Sequence, residues 1–581
     1  MRRKERKMTA RTILPLLIMP IALAACSPSA ECSPDEWSCS EDARVLTACV
    51  DGKIQTIDCG SEGLLCEQGE CVLPSRYGSP QWSKCENDPM ATTESLHDKM
   101  LYYEEIARRL HIHPQLGWIS NVVLECDGSD CTHPAVPESQ ATWRDVERWL
   151  SGENDGLWNA LYMAAEAYRY AATGDREALD NLRILLEGER RRMDITGVPG
   201  LFTRQMIPLG VDGIACPDDL AAYEPDVEKD DNKWVRINQQ GCVEVVDPDT
   251  KQWQSTDHCG LGEFAGWCWL DNVSQDEYAG HMYALAAIYK FADDEQIRAQ
   301  VRDMLQQIGD HLVDNQLRFV DWDGRTTEHG RLYAMALDNY PGFNAAMALA
   351  FVKVCAAATG DERIENFYQD CLLQRSGRLE CLDYPAESPR PYTEHMEEPG
   401  LYVGQDSCLS NWNNISMYMA ALHDLFLFEH DPSLVEFLQA HLQNTVFAPA
   451  DKPRPLSEQN NAWFDIIYAA FKRLGPGSDG PAYEAVENAV CMLRQFPASK
   501  HTPTVDAPME KVKSTCTDRL GHEIGDYPRQ VAERCPGTFL WWGNPYSLGS
   551  CTEDLRVVHQ PADYLLAYWM ARYFGFIDEN M

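Results

Sequence analysis

The sequence predicts an all-α fold, a closed (α/α)6 toroid of six helical hairpins, preceded by a small N-terminal disulfide-stapled β module. Three observations carry that prediction. First, twelve helix-like segments are joined by connections that alternate strictly between short and long. The tight turns are AATGD (171–175), FADDE (291–295), AATGDE (357–362), FEHDP (428–432) and GPGSDG (475–480). The long returns run over roughly 193–274, 317–340, 375–409, 447–459 and 497–560. Short turns make antiparallel neighbours, so each pair reads as a helical hairpin and every long return emerges on one face.

Second, the segments starting near 155, 275, 341, 410, 460 and 561 are apolar nearly all round, as in FNAAMALAFVKVCAAA. Those near 94, 176, 294, 361, 431 and 481 carry one apolar stripe, as in IRAQVRDMLQQIGDHL. A helix that is apolar all round is buried on both sides, and a striped one faces water. Six inner helices therefore sit within six outer ones, the last inner helix beside the first. Third, the body of about 490 residues is too long for one layered core unless its helices close into a ring.

Residues 1–25 stand apart. Arg2, Arg3, Lys4, Arg6, Lys7 and Arg11 form a basic head before the apolar run ILPLLIMPIALAA. That run is short and one-sided, as in a secretory signal. Leu23-Ala24-Ala25-Cys26 resembles the lipobox of bacterial lipoproteins, which implies cleavage before Cys26 and its acylation. Two or more acyl chains anchor a protein stably. No other apolar stretch is read as long enough to span a membrane, so a soluble, tethered body is expected. Ser27 after the anchor leans, by the same resemblance, towards the outer membrane or cell surface of a bacterial envelope.

Residues 26–75 read as a Cys-rich module. Cys32, Cys39, Cys49, Cys59, Cys66 and Cys71 supply three bridges of open connectivity, and VLTAC and IQTIDC flank a turn at Asp51-Gly52. So small a unit needs such staples. Its roles are a spacer or a surface-binding module. Residues 76–91, with Gly78, Pro80 and Pro89, read as the linker, and 92–581 as the toroid domain with a Cys-rich insertion at about 211–268.

The chain has 22 cysteines, which suits export because disulfides persist outside the cytosol. With Cys26 acylated an odd number remains, and Cys355, in the apolar run AFVKVCAAATG, is the candidate for a buried free thiol. Cys126 and Cys131 read as a local disulfide over a polar turn. The net charge of −40 argues against nucleic acid or anionic lipid as partner. It also disfavours polyanionic substrates unless local Arg clusters intervene. The 16 Trp and 24 Tyr suit either sugar platforms or a well-filled core.

ENDGLWNALYMAAEAYRYAATGD (153–175) with ITGVPGLFTR (195–204) resembles a group of bacterial proteins with the six-hairpin glycosidase-like (α/α) fold. SQDEYAGHMYALAAIY (274–289), the FVDWDGRTTEHG hairpin, EQNNAWFDIIYAA (458–470) and DYLLAYWMARYFG (563–575) resemble the same group. The resemblance spans about 153–575 and implies a carbohydrate-active protein, with an oligo- or polysaccharide as partner. The insertion is a departure that stands over substrate access.

In such barrels the cleft lies at the mouth from which the long loops emerge, here the N-terminal ends of the inner helices. Glu153, Asp155, Asp276, Glu277, Asn411, Asn413, Glu458 and Asp465 stand at or near those starts. Glycoside hydrolysis needs two carboxyl groups across the scissile bond. Asp155 facing Asp276 or Glu277 is the candidate pair, with N-capping as the competing role. His281 shares a helix face with Glu277 and serves either the site or the core. Arg204 pairs with a substrate or locks its own loop through main-chain carbonyls. Trp158, Trp267, Trp269 and Trp412 are candidate sugar platforms, with Asn411 beside them. A polysaccharide lyase or epimerase relying on His281, a Tyr and Arg204, and a non-catalytic glycan-binding protein, are the alternatives. Glu277-x-x-x-His281 lacks the second histidine of a zinc-protease motif, and neither a metal nor a cofactor is expected. The oligomeric state stays open.

Overall fold

The computed structural model describes residues 88–581 apart from 127, 129–130, 151, 338–339, 375–389, 473–479, 498–513, 538 and 550–553, together with the short strands between 37 and 72. The predicted signal segment and Cys26 lie outside the described residues, as does most of the Cys-rich module. The chain divides into two compact units, 1–75 and 76–581. In the first, strand Val45–Val50 pairs antiparallel with both Trp37–Cys39 and Lys53–Asp58, and Val50 faces Lys53 across the expected two-residue turn.

The second unit is helix-rich. Its helices are α1 (Leu96–Ile106), α2 (Asp155–Thr173), α3 (Arg176–Asp194), α4 (Gln275–Phe291), α5 (Glu295–Asp314), α6 (Pro341–Thr359), α7 (Glu362–Asn366), the single turn α8 (Tyr392–His395), α9 (Trp412–Phe428), α10 (Pro432–His441), α11 (Ala462–Lys472), α12 (Pro481–Arg494) and α13 (Ala562–Tyr573). The outer helices α1, α7 and α10 each continue as a π-helical turn, Ala107–His111, Phe367–Leu373 and Leu442–Phe447. Among the inner helices α2 packs against α4 and α13, α4 against α9, α9 against α6, and α11 against α13.

Two tight turns share one chemistry. Gly174 (φ 69°) and Gly360 (φ 68°) end α2 and α6 in the left-handed conformation that costs glycine least. The next residue, Asp175 or Asp361, then caps the following helix through Glu177 N or through Arg363 N and Ile364 N. The preceding Thr173 or Thr359 hydroxyl donates back to the carbonyl four residues earlier, at 2.6 and 2.7 Å.

Helix α6 corrects one expectation. It is long and apolar enough by composition to cross a membrane, yet 83% of its apolar window is buried inside the domain. It is a core helix whose outer neighbours cover it. Cys355 on α6 is fully buried and free, as expected.

A purely all-α description also needs correction, because the long returns fold into sheets. The insertion forms a five-stranded antiparallel sheet in the order Trp253–Cys259, Cys242–Val246, Trp234–Ile237, Cys268–Leu270, Gln205–Ile207. Disulfides Cys216–Cys268 and Cys242–Cys259 staple it, and it has its own apolar cluster around Trp118, Met206, Val235 and Trp269. Arg318–Val320 and Thr326–Arg331 form the expected hairpin, and Cys126–Cys131 is a disulfide. A third sheet, Val557–Val558, Asn121–Leu124 and Val146–Leu150, ties the chain before α2 to the chain before α13. Loops this long carry many main-chain polar groups, and strand pairing is how they satisfy them.

Candidate functional site

The first turns of α2, α4 and α9 and the return into α13 build the site. Asp155 opens α2, and its carboxylate accepts the Gly152 N–H at 2.7 Å. Its side chain lies on the wall of a cavity of about 420 Å³ shared with Asn121, Trp158, His559 and Gln560. Trp158, one helical turn on, is half-buried and stacks on Phe539 with ring centres 6.0 Å apart and planes 26° apart. Trp542 stands edge-on to the same ring at 5.9 Å and remains 42% exposed. Asn121 Oδ1 accepts the Gln560 N–H at 2.8 Å and so fixes the far wall. His559, Gln560, Asn121 and Trp542 were absent from the sequence reading. They sit in segments without helical periodicity, and only His559 and Gln560 carry a signal, VVHQPADY leading straight into the last inner helix.

The two adjacent carboxylates of α4 divide. Asp276 is half-buried at the mouth, where the Ser274 hydroxyl donates to Oδ1 and Asn413 Nδ2, from the first turn of α9, donates to Oδ2 at 3.3 Å. Glu277 points into the α2–α4 seam and is fully buried, as is His281 one turn further on. Neither lines open space, which corrects the expectation of Glu277 as a partner facing Asp155 and gives His281 the core role of its two. Each residue along a helix turns the side chain by about 100°, so one neighbour faces the mouth and the next the seam.

Within the seam Glu277 Oε2 accepts the Leu157 N–H of α2 at 3.1 Å. His281 Nδ1 pairs with Glu189 of α3, its Nε2 lies 3.5 Å from Glu277 Oε2, and its ring stacks on Phe202 at 3.9 Å. The 3.5 Å contact is an ion-pair distance; no hydrogen bond forms there. Burial pushes the Glu277 carboxyl up to about 7, against the pull of His281. Burial works against the His281 cation too, but the nearby carboxylates of Glu189 and Glu277 outweigh it and raise His281 to about 9. Glycines on both helices allow the approach. A Cβ on Gly156 would overlap Glu277 Oε2 and the His281 ring, and one on Gly280 would stand 2.6 Å from Leu157 Cα.

Arg204 takes the second of its two readings. It is 5% exposed, with Nε donating to Asn272 O at 2.7 Å and Nη1 to Glu153 O at 3.3 Å and Asn154 Oδ1 at 3.1 Å. One guanidinium thereby joins the strand leading into α4 to the residues leading into α2. It holds the supports of Asp276 and Asp155, and these bonds leave it no open face towards a sugar.

Asn272 (φ 63°) is held in turn from four sides. Its N–H donates to Asp321 Oδ2 at 2.8 Å, its Oδ1 accepts from Glu328 N at 2.8 Å, and Nδ2 reaches Asp231 O and Asn232 Oδ1. Below it Lys229 Nζ lies 2.7, 3.0 and 3.4 Å from carboxylates of Asp271, Asp321 and Asp323. This nearly buried ammonium ties the insertion to the 318–331 hairpin.

Of the remaining predicted residues, Trp269 is fully buried in the sheet core and cannot be a sugar platform. Trp267 is half-buried, edge-on to Phe264 at 5.3 Å in the same cluster. Asn411 caps α9, its Oδ1 accepting the Asn413 N–H at 3.2 Å. Trp412 is half-buried at the mouth with its ring 6.0 Å from Tyr546. Glu153 and Glu458 are exposed, whereas Asp465 is buried and accepts from Asn488 at 2.6 Å. Among the described residues one group of His, Cys, Asp and Glu is close enough to hold a metal ion, Cys126, Cys131 and Glu147, and its two thiols form a disulfide.

No known protein family and no curated protein matches the chain. Among solved structures it is similar to an inactive variant of the alpha-1,6-mannanase of Salegentibacter sp. HEL1_6 in complex with alpha-1,6-mannotetrose, at TM-score 0.35 and 11% identity, covering 84% of this chain and 100% of that one. It is also similar to endoglucanase CelQ from Clostridium thermocellum complexed with cellotriose, at TM-score 0.34 and 12% identity, covering 82% and 70%. A metagenome-derived glycoside hydrolase family 9 endoglucanase gives TM-score 0.34 and 12% identity over 83% and 80%.

Proposed function

We propose that the protein is an exported, lipid-anchored, carbohydrate-active enzyme, a glycoside hydrolase with Asp155 and Asp276 as its paired carboxyl groups. In this reading the helical hairpins form a six-membered (α/α)6 ring with one working mouth. The observation that carries it is the cavity lined by the Asp155 carboxylate and the half-buried Trp158, against which the partly exposed Trp542 stands edge-on. Aromatic faces pack against the apolar faces of sugar rings. One carboxyl group protonates the leaving oxygen while the other activates water or attacks the sugar carbon. Arg204 and Glu277 are supports that hold the two helix starts in register.

A lyase or epimerase acting through His281 and Arg204 is the weaker reading. His281 is enclosed between two carboxylates, and Arg204 is committed to holding its own loops. Anchoring rests on Cys26 and the basic and apolar run before it, with residues 26–75 as a spacer at the bacterial outer membrane or cell surface. Cys26→Ala should release the protein from the membrane fraction, and retention after salt washing would mean another anchor.

The full-length protein should be screened against a panel of polysaccharides for new reducing ends. Asp155→Asn should abolish release of reducing ends with little change in melting temperature. Products absorbing in the near ultraviolet would establish a lyase instead, and binding without turnover would establish a glycan-binding protein.

A further inference from the structure

In a chain with a net charge of −40, three arginines gather near the start of α9. Arg454 and Arg534 flank Tyr546, and Arg529 lies behind Arg534. The Arg454 Cζ stands 5.2 Å from the centre of the Tyr546 ring, and the Arg534 Cζ 5.8 Å from that of Trp541. Tyr546 packs on Trp412, the residue before Asn413, which donates to Asp276. The cluster therefore adjoins the first turn of α9.

Its bonding is unusual. Arg534 is only 9% exposed, and its Nε bonds Arg529 O at 3.0 Å while Nη2 bonds Gln459 O at 2.6 Å and Asn460 O at 3.1 Å. These are all main-chain carbonyls. Arg534 forms no ion pair among the described residues, and its Nη1 makes no bond there. The Tyr546 hydroxyl, the Trp412 Nε1 and the Arg529 Nη2 are buried donors with no partner among the described residues. Arg454 bonds Gly525 O at 3.1 Å, Asp406 O and Cys408 Sγ. Two carboxylates are near. Glu533 is engaged by the Gln530 N–H at 3.0 Å, and Glu458 is exposed. Burial, with Arg529 beside it, lowers Arg534 to about 9, and Glu533 offsets this only in part. Unpaired donors beside buried positive charge are costly unless an acceptor arrives.

We propose that Arg534, Arg454 and Tyr546 form a subsite for an anionic sugar, one carrying a carboxylate or a sulfate ester, at the mouth that holds Asp155 and Asp276. The inference rests on the saccharide reading above and names its substrate class. Guanidinium groups bond such oxyanions in charge-assisted pairs, and a local positive wall overcomes the repulsion of an acidic body.

The test is calorimetric titration of the full-length protein with four probes: an oligogalacturonate, its methyl ester, a sulfated galactan oligosaccharide and a neutral cello-oligosaccharide. At least one anionic probe should bind more than about tenfold tighter than the methyl ester and the neutral probe. The better of the two anionic arms identifies carboxylate or sulfate. Added salt should erode the preference. Arg534→Gln should abolish it. Because Arg534 also holds the 459–460 loop, Tyr546→Phe, which removes only the hydroxyl, serves as the gentler variant and should weaken anionic binding several-fold. Equal binding of neutral and anionic probes, unchanged in Tyr546→Phe, would overturn the inference and leave the saccharide reading standing. Binding of none of the four would remove both.

Discussion

Glu277 of α4 accepts the main-chain N–H of Leu157 of α2 at 3.1 Å, two residues beyond Asp155. A helix N-terminus leaves its first N–H groups without partners. Here a carboxylate from the neighbouring helix supplies one, so the first turn of α2 is set by α4 and not by its own cap. Asn154, at the cap position, makes no side-chain bond to it.

That arrangement predicts a pH dependence. His281 is raised from 6.5 to about 9 in the fold, so its stabilisation is complete below about pH 6.5 and is lost as pH rises through 9. Glu277 is raised from 4.5 to about 7, which has the same sign, with loss as pH rises through 7. The groups facing them are Glu189 and Arg192 of α3 and Asp276 of α4. Below pH 6.5 the buried neutral His113, His311, His395, His423 and His441 pull the other way, so the melting temperature should fall between pH 6.5 and pH 8. Glu277→Gln should flatten the lower half of that curve, and a wild-type melting temperature that rises with pH over that range would contradict it.

Arg204→Gln should lose the bridge between Asn272 and the Glu153–Asn154 pair. Charged hydrogen bonds contribute about 1.5–3 kcal/mol each at most, so denaturant unfolding should show a loss of about that size. Turnover on any substrate found should drop more than its affinity does, because Asp155 and Asp276 lose their register while the Trp158 wall stays in place. Unchanged turnover would make Arg204 purely structural.

Lys229→Met should leave Asp271, Asp321 and Asp323 facing one another without their cation. Removing one partner from a buried ionic cluster costs about 3–5 kcal/mol. Chemical denaturation should show a loss of that order. Thermolysin should nick the insertion between 211 and 268 faster, since the clamp on the hairpin is gone.

Trp542→Ala should leave the melting temperature nearly unchanged, because the ring is 42% exposed. Saccharide affinity should fall by roughly 1 kcal/mol, the size of an aromatic contact beyond burial. Equal affinity in the variant would move the sugar platform elsewhere.

Cys355 should resist alkylation in the native protein. It is fully enclosed in α6, and burial pushes its thiol well above the ordinary range. Mass spectrometry should find label at Cys355 only after denaturation. Native labelling would mean that α6 opens.

The sequence by itself determined the main helices and their pairing across tight turns. Hydrophobic periodicity and Thr-Gly-Asp turns are local signals, and each is complete within a few residues. It also placed Asp155, Asp276, Trp158 and Trp412 in the first turns of helices. Only the tertiary structure decided which of them look outward. Asp276 and Glu277 are adjacent in sequence, but the rotation along a helix sends one to Asn413 at the mouth and the other into the seam behind Gly156 and Leu157. The same holds for Trp269, whose alternation in a strand puts it in the core of a sheet that helical periodicity could not reveal. His559, Gln560 and the Arg454–Arg534–Tyr546 wall lie on loops. Their places depend on contacts between residues tens to hundreds of positions apart, and no local pattern encodes such pairings.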